Sequence, residues 1–383
     1  MNQRYYSLDV FRGATVALMI LVNNAGNWSH IYTPFKHATW HGCTPTDLVF
    51  PFFLFAVGNA LAFVMPRFHE KGTPFFLKKV FKRALLIFAI GLFLNWSPFI
   101  KWDDTHIVFK TWDKIRIFGV LQRIALCYLF ASLIVYFFKT RTAIFISIAI
   151  LLVYWLICYL FGAPADPYSL AGYFGVQVDK AVLGVGHMYT GEGLAFDPEG
   201  ITSTTAAIVQ VVIGYFTGKF IREKGKTYEM LSTLFIAGSV LIFVGFCWDF
   251  VFPINKKIWT SSYVLYTSGL ALFVIGLLIY IIEFKEIRGV WSRFFDVFGK
   301  NPLFIFFMSG FLPRILALMR WTDHLDEDGK PVYTSAFPWF YNHVCRPVSD
   351  NLKNGSLLYA ICMVGFYWAI VYVLDKKKIY IKV

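Results

Sequence analysis

The stretch from Phe35 to Gly58, FKHATWHGCTPTDLVFPFFLFAVG, sets His37, His41 and Asp47 directly before a long apolar run. A neutral imidazole near a carboxylate can accept a proton close to neutral pH, which is the chemistry of a general base. Charge at the threshold of a membrane-length segment is costly to desolvate, so ionisable residues placed there call for a functional reason. Thr44 and Thr46 are suited to cap a helix, and Asp47 in its first turn would meet the positive helix end. The plainer alternative is that these histidines are solvated loop side chains. Asn23 and Asn24, closing the preceding apolar run, and the Asp47 carboxylate favour a site.

Other polar residues invite the same question. Asp9 and Arg12 lie three apart and would share one face of the first helix. They read either as an interfacial ion pair or as a place where Arg12 helps to hold an anionic cofactor. Gln122 and Arg123, inside RIFGVLQRIALCY, lie far from the ends of an apolar run. An arginine so placed needs a partner or a water-filled cavity. The span DKAVLGVGHMYTGEGLAFDPEG is polar and glycine-rich, but no strand precedes it, so it is a weak phosphate loop. Its Asp197 and Glu199 are either helix-starting acids or contacts for a hydroxyl-rich or amine-bearing substrate. Asp179, His187 and His41 join them as candidate substrate contacts. The six cysteines form no CxxC or Cys/His metal spacing, so no metal centre is expected. Cys43 and Cys345 fall on one expected side, and their spacing leaves pairing open.

The elements that must position these residues are membrane helices. Of the 383 residues 57% are hydrophobic, 20% aromatic and only 15% charged, which sets the chain apart from soluble domains. About ten runs are long enough to span a bilayer as helices. They fall near residues 8–24, 47–65, 81–100, 117–138, 143–162, 201–221, 230–251, 259–283, 295–313 and 355–374. The ninth is interrupted by Gly299 and Pro302, and RILALMRW after it reads as an amphipathic piece along the interface. Arg67, Lys71, Lys78, Lys79, Lys82 and Arg83 follow the second run, and Lys219, Arg222, Lys224 and Lys226 the sixth. Lys285, Arg288 and Arg293 follow the eighth, and Lys376, Lys377, Lys378 and Lys382 stand in the tail. All four groups share one side, the expected cytoplasmic one, with both termini. The +13 net charge is therefore explained without nucleic acid. Seven histidines fall on the other side, and only His69 on the basic one. The N-terminus lacks the pattern of a cleaved signal, so the first helix is expected to be retained. No repeat or long linker divides the chain, which reads as one all-α polytopic membrane bundle over residues 1–383.

The segments LDVFRG, VNNAGNW, FKHATWHGCTPTDLVFPFFLFAVG, RIFGVLQRIALCY, VDKAVLGVGHMY, FDPEGITST, PINKKIWTSSYVL and GKNPLFIFF occur in that order. Together they resemble the transmembrane core of the heparan-alpha-glucosaminide N-acetyltransferase family and its bacterial homologues. The resemblance implies transfer of acetyl from acetyl-CoA, on the cytoplasmic side, to the amine of a glucosamine-type sugar on the other. It implies that His37, in the FKHxxW motif, is the key histidine and that Asn23 is a second functional residue. It aligns Asp47, Arg123 and Asn255 with the family's polar positions. Unlike lysosomal members, the chain shows no large outward domain before its first helix. That favours a bacterial cytoplasmic-membrane enzyme acting on a cell-envelope or scavenged amino sugar.

On this reading His37 takes the proton of the sugar amine while Asn23 donates to the thioester oxygen. A version in which His37 first takes the acetyl group stays open. Arg12, Lys82 and Arg83 are the expected partners of the CoA phosphates. Besides acetyl-CoA, the acceptor sugar and the bilayer, a homodimer is compatible with the sequence. The rival class is an envelope transporter or flippase, which the broken ninth helix and interior Arg123 would also suit. The lack of evident inverted repeats and the gathering of polar residues at an outer mouth count against it.

Overall fold

The computed structural model describes residues 5–381; Lys382, counted with the tail lysines, lies outside that range. The apolar runs form α1 (Tyr6–Asn23), α2 (Val49–Lys71), α3 (Thr73–Trp96), α4 (Val120–Phe137) and α5 (Thr140–Phe161). A short α6 (Gly175–Leu183) precedes α7 (Ile201–Lys224), α8 (Tyr228–Asp249) and α9 (Ser261–Ile279). Then come α10 (Val290–Lys300), α11 (Pro302–Leu316), a single-turn α12 (Ala336–Phe340) and α13 (Leu352–Lys376). Two antiparallel hairpins, β1 (Ile100–Asp103) with β2 (His106–Phe109) and β3 (Trp321–Leu325) with β4 (Pro331–Thr334), are the only sheets among the described residues.

Eight of these helices are long and apolar enough to cross a membrane, and the chain is an integral membrane protein. The other two expected spans are helical but differ in kind. α3 is 24 residues long, yet its first half carries Lys78, Lys79, Lys82 and Arg83. The ninth run breaks at Asn301 into α10 and α11, because Pro302 lacks the N–H that would continue the ladder. The Asn301 amide bridges this break to the tail, donating to Ile379 O and accepting from Ile381 N. RILALMRW is not an interfacial helix. It ends α11 at Leu316, turns, and enters β3 at Trp321, where Arg320 stacks on Trp102 and Tyr333. The 3.6-residue period there belongs to the last turn of α11.

α2 and α7 form the buried centre, while α5, α8 and α13 leave most of their surface exposed, as lipid-facing helices do. Small residues let the central pair approach closely. A side chain at Gly58 would strike Val211 O, and one at Gly214 would strike Phe55 O. In the same way Gly13 of α1 meets Phe295 O, and Gly299 of α10 meets Asp9 O. The described ends of the chain lie at one end of the bundle, where Tyr5 donates to Ile221 O and Lys300 pairs with Asp375. His69, stacked on Tyr136, lies at that end. The loops that carry the other seven histidines lie at the opposite end.

Candidate functional site

Asp47 sits in a 3₁₀ turn, Pro45–Leu48, that leads into α2. Pro45 pre-sets the first turn, and the Asp47 carboxylate reaches back to the Thr44 N–H as in a capping box. Its Oδ2 also accepts from Ala38 N–H at 3.0 Å and from the Thr44 hydroxyl at 3.0 Å. That leaves Oδ1 for His37, whose Nδ1 lies 2.6 Å away. Asp47 is buried and His37 is 45% exposed, so the pair points a held imidazole at open space. An ionised carboxylate can only accept, so Nδ1 donates to it, and in the neutral ring the lone pair is on Nε2.

The second wall comes from residues 250–260, between α8 and α9. Gly42 N–H donates to Ile254 O at 2.7 Å, fastening this loop beside the histidine segment. Asn255 is fully buried and organises the turn. Its Oδ1 accepts from Lys257 N at 2.7 Å and Ile258 N at 3.1 Å, and its Nδ2 meets His41 Nδ1 at 3.3 Å. Burial lowers the His41 pKa, against the opposing pull of Asp166 and Asp249. The turn delivers Lys256, whose Nζ stands 3.1 Å from His37 Nδ1, 3.4 Å from Nε2 and 3.5 Å from Asp47 Oδ1. Burial lowers the Lys256 pKa, and Asp47 and Glu199 oppose that shift. Lys257 pairs with Glu192 at 2.6 Å beside Trp40.

Asp197 and Glu199 do not start α7. Both pair with Arg116, which approaches Asp197 with Nε at 3.0 Å and Nη2 at 2.5 Å and also meets Glu199. Burial pushes the Glu199 carboxyl up, but Arg116 and Arg123 outweigh it and hold the group below its ordinary range. The residue that does cap α7 is Asp179, which accepts from Ile201 N at 2.8 Å. Gly200 is required there, since any side chain would strike the Asp179 carboxylate. Burial raises the Asp179 carboxyl to about 6. Arg123 is fully buried in α4. It donates to Ser203, to Thr204 Oγ1 at 3.2 Å and to Gly200 O at 3.4 Å, and its guanidinium stacks on Trp259. No carboxylate pairs directly with it among the described residues, and its Nη1 has no partner.

Two cavities meet at His37. A narrow apolar one of about 180 Å³ is walled by Asn23, Phe50, Phe53, Ile124 and Phe306. A polar one of about 260 Å³ is walled by Trp40, Arg116, Arg123, Tyr189, Glu192 and Trp259. His37, Val120, Glu199 and Lys256 line both. Going the other way, the apolar cavity shares Phe53 and Ile124 with a cavity of about 120 Å³ that Arg12, Pro302 and Leu303 also line. That cavity shares Val64, Phe68, Arg83 and Tyr128 with one of about 440 Å³ on the basic end, which adds Arg67, Lys79 and Lys82. A file of cavities thus runs from the basic end to His37, and the break between α10 and α11 forms part of its wall.

The structure brings together His37, Asp47, Asn23, Arg123, Glu199 and Asp197, with His41 and Asn255 behind the loop. His187 is tied to Ile115 O at 2.7 Å and does not line the polar cavity. Arg12, Lys82 and Arg83 gather at the basic end; Arg12 spends its guanidinium on Asp9 at 2.8 Å and Gly299 O at 2.7 Å. Four charged residues of the polar cavity went unseen in the sequence: Arg116, Glu192, Lys256 and Lys257. Lys256 and Lys257 lie within PINKKIW, where paired lysines look like any solvated loop, and nothing local points to partners up to 219 positions away. Among the described residues no group of His, Cys, Asp and Glu is arranged to hold a metal ion. Their six cysteines are free, so Cys43 and Cys345 do not pair.

The chain is 26% identical to the human and mouse heparan-alpha-glucosaminide N-acetyltransferases over 99% of its own length. It spans about 60% of the length of those relatives. Residues 4–172, which contain the His37–Asp47 pair, Asn23, Arg116 and Arg123, match the family model described as heparan-alpha-glucosaminide N-acetyltransferase, catalytic.

Proposed function

We propose that the protein is a membrane acetyltransferase that moves acetyl from acetyl-CoA to the amine of a glucosamine-type sugar. The observation that carries this reading is the His37–Asp47 pair at the junction of an apolar and a polar cavity, with Nδ1 engaged by the carboxylate so that Nε2 is the basic nitrogen of the neutral ring. Acyl transfer to an amine needs a base, an oxyanion donor and alignment of two reactants. His37 supplies the base, and Asp47 fixes its tautomer. Asn23, in the apolar cavity, donates to the thioester oxygen. The polar cavity takes the sugar, with Glu199 and Glu192 facing its amine and Trp40 and Tyr189 its ring. Acetyl-CoA enters from the basic end, its phosphates near Lys79, Lys82 and Arg83 and its acyl arm along the file of cavities. The excess of lysine and arginine at that end supports a cytoplasmic basic end, with His37 toward the outer side of what we read as a bacterial cytoplasmic membrane.

The test is transfer of radiolabelled acetyl from acetyl-CoA to glucosamine by purified protein in detergent, with His37→Ala beside it. Label in the sugar from the wild type alone is the expected result. A protein that neither binds CoA nor transfers acetyl sinks the reading and leaves transport as the better account.

A further inference from the structure

We propose that Lys256 is a catalytic residue, the cationic donor that binds the acyl oxygen as it becomes an oxyanion. The inference rests on the acetyltransferase reading and assigns a role that neither His37 nor Asp47 can fill.

Three observations carry it. First, the ammonium lies almost equally near both imidazole nitrogens, 3.1 and 3.4 Å. An atom in the ring plane at those distances would overlap the carbon between them, so Nζ sits over the ring face. It therefore leaves the in-plane Nε2 lone pair unobstructed. Second, its carboxylate contact is longer than those of the other ion-paired cations around the polar cavity. Arg116 is spent on Asp197 and Glu199, and Lys257 on Glu192 at 2.6 Å. Arg123 lies fully buried, stacked on Trp259. For Lys256 the paired carboxylate oxygen stands 3.5 Å away. Third, Lys256 is the one lysine or arginine among the residues lining both cavities, so it stands beside His37 where an acyl group arriving along one meets an amine held in the other.

The step balances without any further reactant. The amine nitrogen attacks the acetyl carbon, and the carbonyl π electrons move to oxygen, where Lys256 and Asn23 donate to it. The N–H proton passes to His37 Nε2. Collapse of the intermediate re-forms C=O and breaks the C–S bond, and the CoA thiolate takes the proton from His37. A fixed cation close to developing negative charge needs no reorganisation at the moment of reaction.

The experiment compares wild type, Lys256→Met and Lys256→Arg as purified, monodisperse proteins, reading CoA binding, KM and kcat. Loss of a preorganised oxyanion donor lowers kcat by roughly a hundredfold to a thousandfold. The expected result is that loss in Lys256→Met with CoA binding unchanged, and partial recovery in Lys256→Arg. If Lys256→Met does not stay folded, Lys256→Arg carries the test with an acetyl-CoA dithioester, in which sulfur replaces the carbonyl oxygen. That replacement should slow the wild type far more than the variant. Wild-type kcat in Lys256→Met, a loss explained by weaker CoA binding, or equal sensitivity to the dithioester overturns the role. Absence of transfer by the wild type overturns the acetyltransferase reading itself, and this role with it.

Discussion

The two ends of the bundle handle charge in opposite ways. Around His37 almost every ionised group is committed to a neighbour: Asp47 to three donors and His37, Arg116 to two carboxylates, Lys257 to Glu192. At the far end Arg67, Lys79, Lys82 and Arg83 surround a wide cavity, and none has a carboxylate partner among the described residues. A committed network fixes atoms to the tolerance that bond-making demands, because a partly buried charge with a partner has one favourable place. Uncommitted cations at a surface do something different, drawing a polyanion in from a distance without dictating its pose. On the proposed function, chemistry belongs to one end and capture to the other.

That division can be broken by experiment, and the largest effect belongs to the base. His37→Ala or Asp47→Asn should lower kcat by roughly a hundredfold to ten-thousandfold while CoA still binds. Acetyl transfer and CoA binding measured on one preparation check this; a variant keeping a tenth of wild-type kcat would remove the pair from the chemistry. Arg116→Ala should be mainly a stability defect. It leaves Asp197 and Glu199 facing each other without a cation, a loss of about 3–5 kcal/mol by analogy with other broken buried pairs. Thermal unfolding in detergent, with Arg116→Lys as the partial rescue, reads it.

Asp179 offers a pH test of the same network. Its folded carboxyl is raised to about 6, so the folded protein keeps the proton where the unfolded chain has lost it. Stability from this group is therefore present at low pH and declines as pH rises from about 4 through about 6. Asp179→Asn should flatten that decline, by at most about 3 kcal/mol for two pKa units. A melting profile against pH that is identical in the two proteins would refute it. The smallest effects belong to the capture end. Lys79→Ala, Lys82→Ala or Arg83→Ala should each weaken CoA binding by roughly tenfold or less, with kcat unchanged at saturation and the differences shrinking in salt. If a capture-end variant instead lowered kcat as much as His37→Ala, the two-end division would fail.

Much of the architecture was legible because its signals are local. Apolar runs of helical length marked every long helix, and Gly299 with Pro302 marked the break. Pro45 and Asp47 announced the turn that holds the histidine. What stayed hidden depends on partners far apart in the chain. Arg116 drew no reading from the sequence, because its counter-ion Asp197 lies 81 positions on. Asp197 and Glu199, read as either helix-starting acids or substrate contacts, both pair with Arg116, while the cap of α7, Asp179, lies 22 positions before the amide it accepts from. RILALMRW misled for the opposite reason, since one helical turn carries the same period wherever it lies.

The close seat of α1 on α10 also bears on how the protein is made. Gly13 rests against the backbone at Phe295, and Gly299 against that at Asp9, so the partner that fits this face of α1 is synthesised more than 270 residues later. At roughly 5–20 residues per second, α1 waits on the order of 15 to 60 s before that partner emerges. It is one of the least apolar of the eight long spans and carries Asp9 and Arg12. Its Asp9–Arg12 ion pair lies within the helix, so those charges can be matched before α10 emerges.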